Sequence, residues 1–384
     1  MGAIYFDNNA NTPVSAEVFD AMRPALLGEL GNASSIHQRG QAAKAALERA
    51  RTQVAELIAA DPAEIVFTSG GTESDNLAIF GAVHQAPPAH VVTTRIEHHA
   101  VLHACEELQR RGHEVTYVAV DSRGQVSAQA IAEALRPNTA LISVMSANNE
   151  TGVEQPIAEV GRVARQAKVL FHVDAIQSAG KAPVDVALWG CDLLSLSGHK
   201  FHAPSGVGAL YVRRGVRLQA QLFGGRHERE RRAGSENLPG IVAMGAAAAL
   251  AGEYDPAHAS ALRDRLEAGV LSSVSNCGVV GAGAPRVANT SNIWFDGIEA
   301  EALVIALDLR GFCVSTGAAC SSGVIEPSHV LLAMGYSKAR ARGCVRFSFG
   351  RQNTAEEVDA LLAVLPELVA KQRRLAPRKM ARTA

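Results

Sequence analysis

Lys200 stands directly after the apolar run DLLSLS and ahead of a Gly/Pro-rich loop, in SLSGHKFHAPSGVG, with His199 and His202 beside it. An amine at such a strand end can form a Schiff base with an aldehyde. A lone lysine is otherwise a solvated charge, so its context decides. The segment FTSGGTESDNLAIFGAV passes through Ser69, Gly70, Gly71 and Thr72 into a helical stretch. Free backbone N–H groups and a helix dipole then face one point, which suits a phosphate. The segment is neither a Walker loop nor GxGxxG. By itself it also describes a glycine turn with a threonine N-cap.

Asp174 ends the run LFHVDA, with Gln177 three residues on. A carboxylate at a buried strand end needs a cation, which a protonated ring nitrogen or an ordinary salt bridge would supply. The run TTRIEHHAVLH places His98 and His99 past another strand, where an imidazole can stack on a planar ring and move protons, or serve the structure alone. In VMSANNETG the amides of Asn148 and Asn149 suit a phenolate oxygen or a carboxylate, though Asn-Asn at a strand end is also a common turn.

Two further residues could act on a substrate. Cys320 lies in STGAACSSGVIEPSH, a loop of small residues, whereas the cysteines at 105, 191, 277, 313 and 344 mostly lie in apolar or helical surroundings. A thiol with pKa near ~8.5 needs nearby positive charge or proton removal to act as a nucleophile. Taken alone, the segment equally describes a chance cysteine in a loop. Arg346, between apolar residues in CVRFSFG, offers a fork for a carboxylate, and the competing description is a surface arginine.

The elements that must position these residues follow from periodicity. Strand-like runs at 64–70, 90–94, 114–120, 140–146, 170–175, 192–197 and 208–214 alternate with helical stretches such as 41–60, 100–112 and 157–168, which predicts a mostly parallel α/β sheet. Ligands collect beyond the carboxyl ends of such strands. Past residue 255 a long helical stretch (257–274) precedes shorter strand-like pieces, NIWFD, FCVST and CVRFSFG, and a last helix over 354–373. A boundary is expected near residues 253–258. The expected division is a segment 1–14 packing with the small domain, a large domain 15–255 and a smaller α+β domain 256–384.

At 384 residues, 47% hydrophobic, 20% charged and net charge −1, the chain reads as an ordinary globular protein. A basic nucleic-acid-binding field is disfavoured, and neither a membrane-spanning run nor a signal sequence is present, so no nucleic acid, no membrane and a cytoplasmic setting are expected. The six cysteines lack disulfide or zinc spacing. The basic tail RRLAPRKMARTA reads as a solvated end.

Together these segments resemble the cysteine desulfurases, the NifS/IscS group, over almost the whole chain. The match rests on YFDNNA, GNASSIHQRG, FTSGGTESDN, EHHAV, NNETG, HVDAIQS, SGHKFHAPSGVGALYVRRG, ERRAGSENLPG, STGAACSSG, EPSHVL and VRFSFGR, in the family's order. The resemblance implies a fold-type I transferase dependent on pyridoxal 5'-phosphate (PLP), with a mostly parallel seven-stranded sheet flanked by helices. It implies conversion of L-cysteine to L-alanine, with the sulfur left as a persulfide on Cys320. Lys200 would carry the cofactor, Gly71, Thr72, Ser197 and His199 would bind its phosphate, and Asp174 would pair with its ring nitrogen. Gln177 and Asn149 would face the phenolic oxygen, with Asn149 also near substrate. His98 would stack on the ring, and Arg346 would hold the substrate carboxylate. Family members are homodimers in which a residue matching Ser235 reaches the neighbouring phosphate. The implied acceptor is an iron-sulfur scaffold protein or another sulfur acceptor. No resident metal is required, and a nascent iron-sulfur cluster would be cargo in contact with Cys320.

The chain departs from the usual pattern at Ala33, where proline is common, and at Ala318, where serine is common. Arg226 and residues 228–232 make the loop before Ser235 unusually charged. The cofactor residues alone also fit an aminotransferase, which Cys320 disfavours, or a selenocysteine lyase. A non-catalytic scaffold for sulfur assembly would have no need of the full set. ANNETG and RRAGSEN are most similar to the nitrogen-fixation type.

Overall fold

The computed structural model describes residues 3–84, 88–317 and 326–375. The chain opens on a two-residue strand, β1 (Ile4–Tyr5). Seven strands follow: β2 (Ile65–Thr68), β3 (His90–Thr94), β4 (Glu114–Val118), β5 (Thr139–Met145), β6 (Leu170–Asp174), β7 (Leu193–Ser197) and β8 (Gly208–Val212). They form one sheet in the order β2-β8-β7-β6-β5-β3-β4. The strands from β3 to β7 pair in parallel, and β8 runs antiparallel to both its neighbours. The seven coincide with the seven runs read from the sequence.

Every residue of β2, β3, β7 and β8 is buried, because helices cover both faces of the sheet. Successive side chains on a strand point to opposite faces. Phe67, Ile142, Val173 and Leu194 accordingly enter one core, with Leu47 and Val54 of the helix Gln38–Leu57. Val66, Leu141, Leu193 and Leu210 enter the other, against Leu77 of the helix Gly71–Ala82 and Leu108 of the helix His99–Arg110. Each such fully buried side chain contributes about 1.5–3 kcal/mol. The sheet is therefore a rigid base, and the residues after β2, β3, β5, β6 and β7 emerge at its one carboxyl edge.

Four more strands follow: β9 (Cys277–Val279), β10 (Thr290–Phe295), β11 (Phe312–Cys313) and β12 (Cys344–Ser348). β12, β10 and β9 make an antiparallel sheet. The helices Pro256–Ser273 and Ala355–Leu375 back it, and Leu266, Phe295, Phe347 and Leu365 fill the core between. The first of these helices starts at Asp255, whose carboxylate accepts from Ala257 N, with proline in the first turn.

The strand expected over FCVST is shorter than its pattern. Only Phe312 and Cys313 pair, in parallel with β1, and Ser315 then makes a lone bridge to Arg346. The N-terminal residues are drawn into the same region. Phe6 is fully buried in the core behind β10 and β12, and Asp7 bridges Ser348. Among the described residues no helix is long and apolar enough to cross a membrane.

Candidate active site

A cavity of about 370 Å³ opens at the carboxyl edge of the large sheet. Gly71, Thr72, His98, Asn149, Asp174, Gln177, Ser197, His199, Lys200 and Arg346 all line it. Ten of the twelve residues to which the resemblance assigns a role thus meet at one place. Ser235 is exposed and does not border the cavity. Cys320 lies outside the described residues. Gly317, three positions before it, borders the cavity.

Lys200 sits in the single 3-10 turn Gly198–Lys200 that ends β7. Its Nζ donates to the carbonyls of Asn9 at 2.7 Å and Ala10 at 2.9 Å. Burial, then Arg346, lowers its pKa from 10.5 to about 8, so much of the amine is neutral near that pH. Asp174 is the last residue of β6, and Oδ1 accepts from Ile176 N at 3.0 Å. Burial raises its carboxyl to about 6. A second buried carboxyl, Asp75, has no hydrogen bond to either oxygen. Burial and then the charge of Asp174 push it well above the carboxylate range. His172 lies 3.6 Å from Asp75 Oδ1 but is held neutral by burial, with its pKa at about 3.

The helix Gly71–Ala82 begins with its N–H groups uncapped by any side chain. Gly70 adopts φ 157° and ψ −176°, a conformation essentially restricted to glycine. A Cβ on Gly71 would lie 2.2 Å from Ile176 Cδ1, so the turn packs directly on the segment after β6. His98 caps the helix His99–Arg110 through Nδ1, which accepts from Ala100 N at 3.1 Å. That leaves the ring proton on Nε2. Surrounding protein, then Lys200, lowers its pKa to about 4, so the ring facing the cavity is a neutral imidazole. His199 is likewise lowered to about 4, and its Nδ1 meets Asn11 Oδ1 at 3.1 Å.

The amide pair in VMSANNETG divides its work. Asn148 is buried structure, its Oδ1 accepting from Glu150 N and Thr151 N, while Asn149 lines the cavity. The two histidines divide similarly. His99 turns from the cavity toward His103 and His329, with ring centroids 5.0 and 4.7 Å away. Arg346 is buried on β12. Its Nη2 meets Asp7 Oδ1 at 2.6 Å and its Nη1 donates to Asn149 O at 2.9 Å, while Nε has no partner.

Residue-by-residue reading missed Asn9, Ala10, Ile176 and Ser315, which also line the cavity, and Lys181 behind it. The signal available for Asn9 was the polar run Asp7-Asn8-Asn9 directly after the apolar Ile4, Tyr5 and Phe6. The charged loop is also more than a solvated segment. Glu228 is buried, receives both Nη groups of Arg51 at 2.8 Å and accepts from Phe67 N. Arg232 pairs with Glu73 in the first turn of the helix Gly71–Ala82.

The donor set fits a phosphorylated pyridine aldehyde. Buried Asp174 lacks a cation that a protonated ring nitrogen would provide, the uncapped helix end suits a phosphate, and a partly neutral lysine amine suits an aldehyde. Among the described residues, no group of His, Cys, Asp or Glu could hold a metal ion. A wider cleft of about 600 Å³ at the opposite strand ends, lined by residues such as Arg165, Asp192 and Arg213, has no such grouping.

Comparison with known proteins gives one family. The family model "Aminotransferase class-V" matches residues 4–361. Cysteine desulfurase 2 of Trichormus variabilis is 48% identical over 380 residues, 98% of this chain and 96% of that protein. Cysteine desulfurase IscS of Methanosarcina thermophila is 47% identical over 98% of this chain and 94% of its own length. Among solved structures, a NifS-like protein superposes with TM-score 0.89 at 35% identity, covering 96% of this chain and all of that one. SspA in complex with cysteine gives 0.82 at 37%, covering 90% and 98%. The chain belongs to the class-V aminotransferase family and, within it, to the cysteine desulfurases.

Proposed function

We propose that this chain is a PLP-dependent cysteine desulfurase that converts L-cysteine to L-alanine and leaves the sulfur on Cys320. The observation that carries the reading is the convergence of Lys200, Asp174, the Gly71–Thr72 helix end and Arg346 on one cavity, which Gly317, three positions before Cys320 in the sequence, also lines. Bound there, PLP supplies an electron sink for charge developing at the substrate Cα. Lys200 would carry it, with Gly71, Thr72, Ser197 and His199 at the phosphate, Asp174 at the ring nitrogen, and Gln177 and Asn149 beside the phenolic oxygen.

The chain's own residues have separable tasks. Arg346, which lines the cavity with a buried guanidinium held by Asp7 and Asn149, orients the substrate carboxylate. The Lys200 amine removes the Cα proton and returns a proton to the product, a role suited to a pKa near the working pH. Asp174 would hold a ring nitrogen in its protonated form, and neutral His98 would lie against the ring and move protons. Cys320 Sγ then bonds to the substrate sulfur as that sulfur's bond to Cβ breaks, and the carbon skeleton takes up a proton and leaves as alanine. The persulfide passes to an iron-sulfur scaffold protein or another acceptor in the cytoplasm.

We further read residues 15–255 as the large unit and 256–384 as the small one, with segment 1–14 packed on the latter. Exposed Ser235 would reach the cavity of a second copy in a homodimer. Mass spectrometry after brief exposure to cysteine tests the chemistry: one added sulfur is expected on the peptide containing Cys320. Alanine release by Cys320→Ala at the wild-type rate would refute the nucleophile, and a protein that gains no visible absorbance with added PLP would refute the cofactor.

A further inference from the structure

Behind the cavity lies a second buried amine to which no role has been assigned. Lys181 follows β6 by seven residues, in turns where Ala179 N bonds Ala175 O and Lys181 N bonds Ser178 O, both at 2.9 Å. Its side chain therefore sits four residues beyond Gln177 and on the same side. It is 6% exposed. Its hydrogen-bond partners are two amide oxygens, Gln177 Oε1 at 2.7 Å and Asn9 Oδ1 at 3.3 Å.

An ammonium only donates, so it selects the oxygen end of the Gln177 amide. The nitrogen end is left on the cavity side, where Nε2 donates to Asn9 O at 3.1 Å. That same carbonyl accepts from Lys200 Nζ. Asn9 cannot easily turn to release either lysine. Its Nδ2 donates to Thr290 Oγ1 at 2.8 Å, its Oδ1 accepts from Asn289 Nδ2 at 3.1 Å, and its N–H donates to Ser348 Oγ at 2.9 Å.

We infer that Lys181 is a positioning residue: by donating to Gln177 Oε1 it fixes the Gln177 amide so that an N–H, not a carbonyl oxygen, faces the phenolic oxygen of the cofactor. The inference rests on the reading of Gln177 as the partner of that oxygen. Freed from Lys181, the amide is held only by the Asn9 carbonyl that accepts from Nε2, and a reversal would present an oxygen to an anionic oxygen, which repels it. Burial and the charges of Lys200 and Arg346 hold Lys181 below the ordinary lysine range, and His199 and His202 also feel its charge. A neutral amine gains a lone pair and can accept as well as donate, so the selection of the amide end is strict for the ammonium form.

The test uses the PLP-loaded full chain and follows its visible absorbance against pH. A donor to an anionic oxygen favours the deprotonated form, so losing it raises the titration midpoint. For Lys181→Met the expected rise is roughly one pH unit, the effect of one charge-assisted hydrogen bond. Lys181→Gln is neutral but still donates, and its midpoint stays within about 0.3 unit of wild type on the scale of that effect. An unmoved midpoint in Lys181→Met overturns the inference, and so do equal shifts in both variants, which would mean that charge alone matters. If Lys181→Met does not fold, Gln177→Leu must raise the midpoint by as much, and an unchanged value there also overturns it. A wild-type chain without visible absorbance removes the underlying reading as well, whereas normal wild-type absorbance with unshifted variants removes this inference alone.

Discussion

Gly71→Ala measures how closely the turn that opens the helix Gly71–Ala82 is packed on the segment that follows Asp174. The new Cβ would lie 2.2 Å from Ile176 Cδ1, 3.2 Å from its Cγ1 and 3.4 Å from Ser197 Cβ. Carbon atoms rest about 3.5–4.0 Å apart, so Cδ1 must retreat by roughly 1.5 Å while the other two contacts need little change. Ile176 is half-buried, which leaves its end room to swing. The cost is then a strained rotamer with mild overpacking, about 1–2 kcal/mol. Alanine in place of glycine in a helix offsets about 0.5 kcal/mol of that, for a net loss of about 1 kcal/mol. Ile176→Val deletes Cδ1, so in that background Gly71→Ala should be neutral or stabilising, with a coupling of about 1–1.5 kcal/mol between the two sites. Equilibrium urea unfolding of the four proteins, without and with saturating PLP, gives the coupling directly. The same coupling is expected in both conditions, because the clash is internal to the protein. Coupling below about 0.3 kcal/mol would mean that the backbone, and not Ile176, limits the approach, and the reasoning would be refuted.

Glu97→Gln tests a buried carboxyl beside the site. Glu97 Oε1 accepts from Thr94 Oγ1 and Met145 N, Oε2 has no partner, and burial raises its pKa to about 8. Its folded-state pKa lies above the unfolded value near 4.5, so its contribution to stability is full below that value and lost as pH rises through 8. Glutamine mimics the protonated form, so the variant should gain on wild type between pH 5 and pH 9, and a constant stability difference over that range would contradict the shift. Arg346→Lys keeps the charge but loses the fork, and should raise KM for cysteine by about 10-fold with a smaller change in kcat; an unchanged KM would remove Arg346 from substrate binding. Arg51→Met strands the buried Glu228 carboxylate and should cost about 3–5 kcal/mol, much of it recovered by adding Glu228→Gln. Thermal or urea unfolding checks this, and a loss below 1 kcal/mol would show that the charged loop is not anchored through Arg51.

What the sequence made legible is what local patterning determines. Uniformly apolar runs announce strands covered on both faces, and the rule that ligands gather at their carboxyl ends selected Lys200, Asp174 and the pairs His98–His99 and Asn148–Asn149, within which the resemblance chose His98 and Asn149. What it concealed depends on contacts between distant positions. Asn9 meets Lys181 across 172 positions and Lys200 across 191, and no periodicity encodes either contact. Glu228 sits in a run of charges that reads as solvated, yet its partner Arg51 lies 177 positions away. Histidine is seldom expected as an N-cap, so the dual task of His98, closing a helix through Nδ1 while facing the cavity, could not be read from EHHAV. Cys320 remains an assignment from resemblance, since it lies outside the described residues.

The concealed contacts share a physical origin. The large sheet supplies one wall of the cavity, and β12 supplies Arg346 on the other. The segment after β1 lies between them, with Asn9 holding both lysines on one side and Thr290, Asn289 and Ser348 on the other. Lys200 is therefore set by the strand that precedes it, but its hydrogen bonds, and the amide it shares with Gln177, exist only once the N-terminal residues have docked. The site's chemistry is written at strand ends, and its geometry is completed by a segment whose own sequence names no chemistry.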